Sequence, residues 1–198
     1  IVGLVSGKVD LNGNIFTIGT TGSNGSLTGG TASEYFISGS AASKLVRYTI
    51  AATTSYSYPV GDASNFTPMT VHLYAGPMGA NSQVSVDVIP SAHPNLGTST
   101  NYLSRYWQVE PSNFPTPQTG YGVTYQWASA DEITSPIPSN LKPFKYNPQG
   151  WIAATGSGAS FEMGSGTVNT GTRTITWDGL YSFSDFTGNG NGSPLPIS

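Results

Sequence analysis

The chain has 198 residues, of which only 9% are charged, with a net charge of −3 and no Cys. Its 7 scattered Lys and Arg argue against phosphate-neutralising nucleic-acid binding. The lack of Cys excludes a disulfide framework, a thiolate nucleophile and a Cys-built zinc site, and no apolar run approaches the roughly 18 residues of a membrane span. With 25 Gly, 14 Pro and 12% aromatic residues, the composition is that of a turn-rich, β-rich extracellular domain. Its surface is built from Ser, Thr, Asn and Gly. A chain beginning at Ile1 reads as one whose signal peptide has been removed, or as a piece of a longer protein.

In chain order, residues 1–55 read as short strands between Gly-rich turns. Val9 and Leu11 alternate with polar neighbours, Asn12-Gly13 follows, and then comes Asn14–Ile18. Asn-Gly between alternating segments predicts a hairpin, because both turn residues accept positive φ. Residues 19–33 are almost all Gly, Thr, Ser and Asn and predict a loop. Strands are expected over Glu34–Ile37 and Lys44–Ile50, the second burying Val46, Tyr48 and Ile50. Ser57-Tyr58-Pro59-Val60-Gly61-Asp62 reads as a strand end entering a tight turn, with Pro59 at an edge or strand end because it lacks a ladder donor.

Further strands are expected over Met69–Tyr74, Gln83–Ile89, Tyr102–Val109, Gly120–Trp127, Lys142–Tyr146, Gly150–Ala154, Ser160–Met163, Thr172–Trp177 and Tyr181–Phe186. The period of two is clearest in Val84/Val86/Val88 and Tyr121/Val123/Tyr125/Trp127. Helical spacing shows only weakly near Ala130–Thr134. The predicted fold is all-β, an antiparallel β-sandwich (56–187) with an N-terminal hairpin or strand layer (1–55), no significant helix, and a linker-like tail (188–198).

The ionisable residues give little chemistry. His72 and His93 lack a metal-ligand spacing and read as structural. Asp131-Glu132 lie on opposite faces of any strand, so an acid/base pair would need Glu110 or Glu162 to approach them. Gly156-Ser157-Gly158 lacks the strand–turn–helix context of a nucleophile elbow. No enzymatic activity is expected. Asp10–Asn14 opens like a calcium loop but lacks the bidentate Glu. Asp62 and Asn65 offer oxygen ligands for calcium, the one cofactor to consider.

The aromatic residues suggest a second site type, because stacking against a sugar needs an exposed ring. Most of these rings must fill the core. Trp151, Trp127 and Tyr125 are the candidates for glycan stacking, with Trp151, after Gly150, the best placed. At the N-terminus the apolar stretch Ile1, Val2, Leu4 and Val5 suits donation of a strand to a neighbour's sheet. The plainer alternative makes it the first strand of its own fold.

One ordered series of motifs goes further. It comprises Ser33–Gly39 (SEYFISG), Lys44–Arg47, Tyr58–Asp62 with Phe66-Thr67-Pro68, Leu103–Val109, and Tyr181–Thr187 followed by Ser193–Ile197. Together these resemble a module of secreted Bacteroidetes surface proteins that precedes a type IX secretion sorting domain. The resemblance implies export to the cell surface and an adhesin-like parent protein. It also implies that the sorting domain itself has been removed or excised, and it supplies no catalytic residues. The functional expectation is an extracellular structural or adhesive module, a filament subunit assembled by β-strand addition in its most specific form. Its partners would then be copies of itself or neighbouring modules. The alternative is a carbohydrate-binding module of a surface polysaccharide-processing protein.

Overall fold

A computed structural model describes residues 1–74, 78–96, 101–115, 120–132, 140–147, 150–154 and 165–190. The first strands, β1 (Val2–Gly3), β2 (Val9–Asp10) and β3 (Ile15–Ile18), do not pair with one another. Each lies parallel to a later strand: β1 to β4 (Leu27–Thr28), β2 to β5 (Phe36–Ile37) and β3 to β6 (Lys44–Tyr48). The chain therefore makes two rungs of a parallel coil. After β7 (Thr54–Tyr58), β8 (Val60–Gly61) pairs parallel to β5 and adds a third layer on one side.

The hairpin expected at Asn12-Gly13 is thus replaced by a corner of the coil. The turn itself is as the dipeptide demands, with φ of 44° and 80° and the Asn14 N–H donating to Leu11 O at 2.8 Å. Burial of apolar side chains decides the pairing. Leu11, Ile18 and Phe36 are buried inside the coil, where the Phe16 and Phe36 rings lie 5.0 Å apart on successive rungs. Stacking rung on rung buries these side chains from water, a gain of roughly 1.5–3 kcal/mol for each fully buried one.

The remaining strands are β9 (Met69–Leu73), β10 (Gln83–Ile89), β11 (Tyr106–Ser112), β12 (Tyr121–Gln126), β13 (Lys142–Asn147), β14 (Gly150–Ala153), β15 (Gly166–Asn169), β16 (Thr174–Leu180) and β17 (Asp185–Asn189). They form two sheets with β3, β6 and β7. The seven-stranded sheet runs β14-β13-β17-β11-β10-β6-β3 and the five-stranded sheet β15-β16-β12-β9-β7. Apart from the parallel β3–β6 pair, every neighbour in them is antiparallel. Because β3 and β6 belong to both coil and sandwich, the N-terminal layer is continuous with the seven-stranded sheet.

The core lies between the sheets. Leu45, Val84, Val86, Val88, Trp107, Val109 and Phe186 on one side meet Tyr56, Tyr58, Met69, Val71, Tyr121, Val123, Tyr125 and Trp177 on the other, all buried in one cluster. Three polar tips are satisfied inside it: Tyr58 donates to Val84 O, Tyr125 to Thr187 O and Trp107 Nε1 to Thr67 O, at 2.9–3.0 Å. In a Cys-free chain this packing and the ladders carry the stability.

Three expectations are corrected. On β6 the side chains facing the main core are Leu45 and Arg47, opposite Val86 and Val84; of the three expected there, Val46 is buried on the other face, while Tyr48 and Ile50 are half-buried. Arg47 is accommodated because its Nη1 donates to Ser57 O at 2.9 Å and its guanidinium lies 5.4 Å from the Tyr56 ring centre. Strand β11 starts four residues later than expected and runs on through Pro111 to Ser112. Strand β17 reaches Asn189, past the expected start of the tail at 188. The expected strand Ser160–Met163, the Gly156–Gly158 segment and residues 191–198 lie outside the described residues.

Pro59 sits between β7 and β8, where the chain leaves the five-stranded sheet for the coil. It is a strand end, as its missing N–H requires.

Candidate functional site

The three aromatic residues proposed for glycan stacking are all buried. Alternation places Tyr125 on the inner face of β12 beside Trp107, with ring centres 4.7 Å apart. Trp127 donates from Nε1 to Glu132 Oε1 at 3.0 Å. Trp151 fills a second, smaller core with Leu96, Phe144 and Ala153 on the far side of the seven-stranded sheet, and its Nε1 donates to Asn95 O at 2.7 Å. Stacking needs an open ring face, so these residues do not make the expected platform. They serve as packing, the usual fate of large aromatics in a domain of this size.

The donor set at Asp62 and Asn65 does not fit calcium. Asp62 Oδ1 accepts the N–H groups of Ser64 and Asn65 at 2.6 and 2.8 Å, closing an Asx turn. Its Oδ2 accepts Arg105 Nη2 and the Asn65 amide nitrogen. Asn65 thus presents a donor, and the cation at this point is a guanidinium. Arg105 is 1% exposed and also donates from Nε to Asp131 Oδ2 at 2.7 Å. Burial works against ionisation of Asp62, but the hydrogen bonds from Arg105, Ser64 and Asn65 outweigh it and hold the carboxyl below its usual range. The result is a clasp between the turn after the coil and the 3-10 turn Ser129–Asp131 of the sandwich.

The acid/base candidates are dispersed. Glu110 pairs with Lys44 at 2.5 Å, Asp131 with Arg105, and Glu132 with Arg173 at 2.9 Å, while Glu162 lies outside the described residues. His72 Nδ1 shares a hydrogen bond with Ser55 Oγ at 2.7 Å. His93 is buried, with Nδ1 accepting the Asn95 N–H and Nε2 facing Asp185 Oδ2 at 3.0 Å. The rings of Tyr106, Tyr146 and Trp151 surround it at 4.7–4.9 Å. Among the described residues, no group of three or more His, Asp or Glu is placed to share a metal ion.

One carboxyl went unnoticed in the sequence. Asp87, on β10 opposite Gln108, is fully buried, and neither oxygen has a hydrogen-bond partner among the described residues. Burial pushes its pKa up to about 8; Lys44 opposes this, while Glu110 and Asp185 add to it.

The exposed apolar side chains have a simpler geography. Among the described residues, the large ones are Ile1, Val5, Val9 and Ile15 on the first rung, and Tyr74 and Tyr181 at one corner of the five-stranded sheet. On the first rung β1, β2 and β3 each end a sheet, so one edge of each lacks a strand neighbour among the described residues. The N-terminal strand is held by its own fold, with Val2 N donating to Ser26 O at 2.7 Å and Leu4 N to Thr28 O at 2.9 Å. Val2 and Leu4 point inward against the core, whereas Ile1 and Val5 face water. The coil therefore ends in an open rung, with polar backbone and apolar side chains presented together. No helix among the described residues is long and apolar enough to cross a membrane.

The chain matches no family model, and no curated protein or solved structure is similar to it.

Proposed function

We propose that this chain is an extracellular structural or adhesive module of the cell surface, joined to other β structure by strand addition at the open rung. The carrying observation is the coincidence of three unpaired parallel edges with the exposed side chains of Ile1, Val5, Val9 and Ile15. Edges of this kind are a template for further pairing unless they are blunted by charge, Pro or a bulge. β1 and β3 contain no charge and no Pro, and β2 carries only Asp10. The mode differs from donation of Ile1–Val5 as a free arm, because Val2 and Gly3 in its middle pair with β4 and Leu4 N donates to Thr28 O. Here the first rung is the acceptor, and the partner is a strand set of the same kind.

The low charge and the Ser/Thr/Gly-rich surface support placement outside the cell, and the dispersed carboxylates support a non-enzymatic role. Sedimentation velocity over a concentration series tests the reading. The wild-type chain should self-associate, while Val9→Lys/Ile15→Lys, which puts charges on two of the three edges, should remain monomeric and folded. Equal behaviour of the two proteins rejects strand addition at this rung.

A further inference from the structure

The second group of exposed apolar side chains is a site of a different kind. On the outer face of the five-stranded sheet, Tyr74 follows β9, Gly120 precedes β12 and Tyr181 follows β16. The register Leu73↔Tyr121↔Leu180 makes these three residues neighbours in one cross-strand row. The Tyr74 N–H donates to Gly120 O at 3.2 Å. At ladder spacing the two tyrosines stand about 10 Å apart across the glycine.

Both rings lie over backbone that has no side chains. Tyr181 leans across Gly120, its Cε1 lying 3.4 Å from where a Cβ would be. Tyr74 reaches over Gly122, where an added Cβ would collide with its hydroxyl and with Asp178 Oδ1. The two tyrosines are 43% and 51% exposed, so each has ring surface open to water.

A bulge on β16 aims the polar group. Between the pairs Val123↔Trp177 and Tyr121↔Leu180, β16 has one residue more than β12, and Gly179 takes up the excess at φ 73°. The bulge presents Asp178 to the Tyr74 hydroxyl, which donates to Oδ1. Away from this corner the face continues as rows of neutral hydroxyls. Ser57, Thr70, Thr124, Thr176 and Thr167 stand directly opposite one another across all five strands. No Lys or Arg lies within these strands, and Asp178 is their only carboxylate.

We infer that the Tyr74–Gly120–Tyr181 corner is a binding platform for a neutral polysaccharide chain. The rings take the apolar faces of successive sugars, and Asp178, His72 and the hydroxyl rows take their hydroxyl groups. The charge pattern favours the neutral class, since a uronic-acid polymer would meet Asp178 on strands that carry no Lys or Arg, and the nearby Lys145 is buried with its ammonium donating to Ser182. The inference is independent of strand addition, as the open rung belongs to other strands.

Affinity electrophoresis in gels containing hydroxyethylcellulose, xylan, glucomannan or laminarin tests it, with polygalacturonate as the anionic comparison. The protein should be retarded by at least one neutral polymer and not by polygalacturonate. Tyr181→Ala and Tyr74→Ala should each weaken the retardation about tenfold or more, the level seen when an aromatic anchor is removed from an interface. Tyr74→Phe and Tyr181→Phe, which keep the rings, should bind nearly as well as wild type. Should Tyr74→Ala unfold, Tyr181→Ala decides alone, because that side chain is half exposed. Absence of retardation by every neutral polymer, retardation by polygalacturonate to the same degree, or undiminished binding by a folded Tyr181→Ala would each overturn the assignment.

Discussion

Replacing Arg105 with Met probes the clasp that ties the coil to the sandwich. The arginine is 1% exposed and lies between Asp62 and Asp131, whose side chains are 13% and 5% exposed. The substitution keeps the volume and removes the only cation these carboxylates share among the described residues. Stranding buried charges costs about 3–5 kcal/mol. For a chain of this size that is a fall in Tm on the order of 6–20 °C.

The pH dependence gives a sharper signature. In the wild type the Asp62 carboxyl is held below its usual range. Its contribution is therefore complete above the unfolded value near 3.9 and lost as pH falls through the folded one. In Arg105→Met burial, the two backbone N–H donors and the Asn65 amide remain but the guanidinium is gone, so Asp62 is protonated more readily and the variant recovers relative stability in acid. The gap between the two proteins should hold from neutral pH down to about pH 4 and shrink as pH falls further, through the depressed Asp62 value. Urea unfolding followed by fluorescence of the buried Trp107, Trp127, Trp151 and Trp177 measures it. A loss under about 1 kcal/mol at pH 7, or a loss that stays the same well below about pH 4, would refute the clasp.

Other substitutions read the remaining parts. Asp87 has its pKa raised to about 8, so the folded state binds a proton that the unfolded state releases near pH 4, and its effect turns increasingly unfavourable as pH rises between those values. Asp87→Asn should thus be more stable than wild type at pH 8, by about 1 kcal/mol or more, with the advantage fading toward pH 4 in thermal melts. Gly179→Ala forces a side chain into the left-handed region, at a cost of about 1–2 kcal/mol. It should also weaken polysaccharide retardation by displacing Asp178, whereas a melt and retardation equal to wild type would discount the bulge. Trp151→Ala should cost about 3–5 kcal/mol as a core truncation. Were it to leave the melt unchanged, the second core would be misassigned.

The sandwich was legible where alternation was clean. Met69–Leu73, Gln83–Ile89 and Tyr121–Gln126 carry their inner side chains at every second position, which is also where the core lies. The coil was not legible, because Asn12-Gly13 specifies a tight turn but not a partner. The strand that pairs with β3 begins at Lys44, far beyond the turn, and the pairing goes with joint burial of Leu11, Ile18, Phe36 and Leu45 that no local signal announces.

Burial of the aromatics followed the same logic. A period of two divides Tyr125 from Gln126, yet the sequence does not reveal which face another sheet covers. Arg105 gave no sign of its role, since its two carboxylate partners lie 43 and 26 residues away. Tyr74 was within reach of sequence reasoning. It shares the alternation of Thr70 and His72 rather than that of Val71 and Leu73, which places an aromatic ring on a polar face.

Hydrogen–deuterium exchange across a concentration series tests the open rung most directly. Outward backbone groups of β1, β2 and β3 lack a strand neighbour among the described residues. The account predicts that amides of residues 1–5, 8–10 and 15–18 become protected as concentration rises, while those of the Val9→Lys/Ile15→Lys variant do not. Association of the wild-type chain with no added protection in these segments would contradict it.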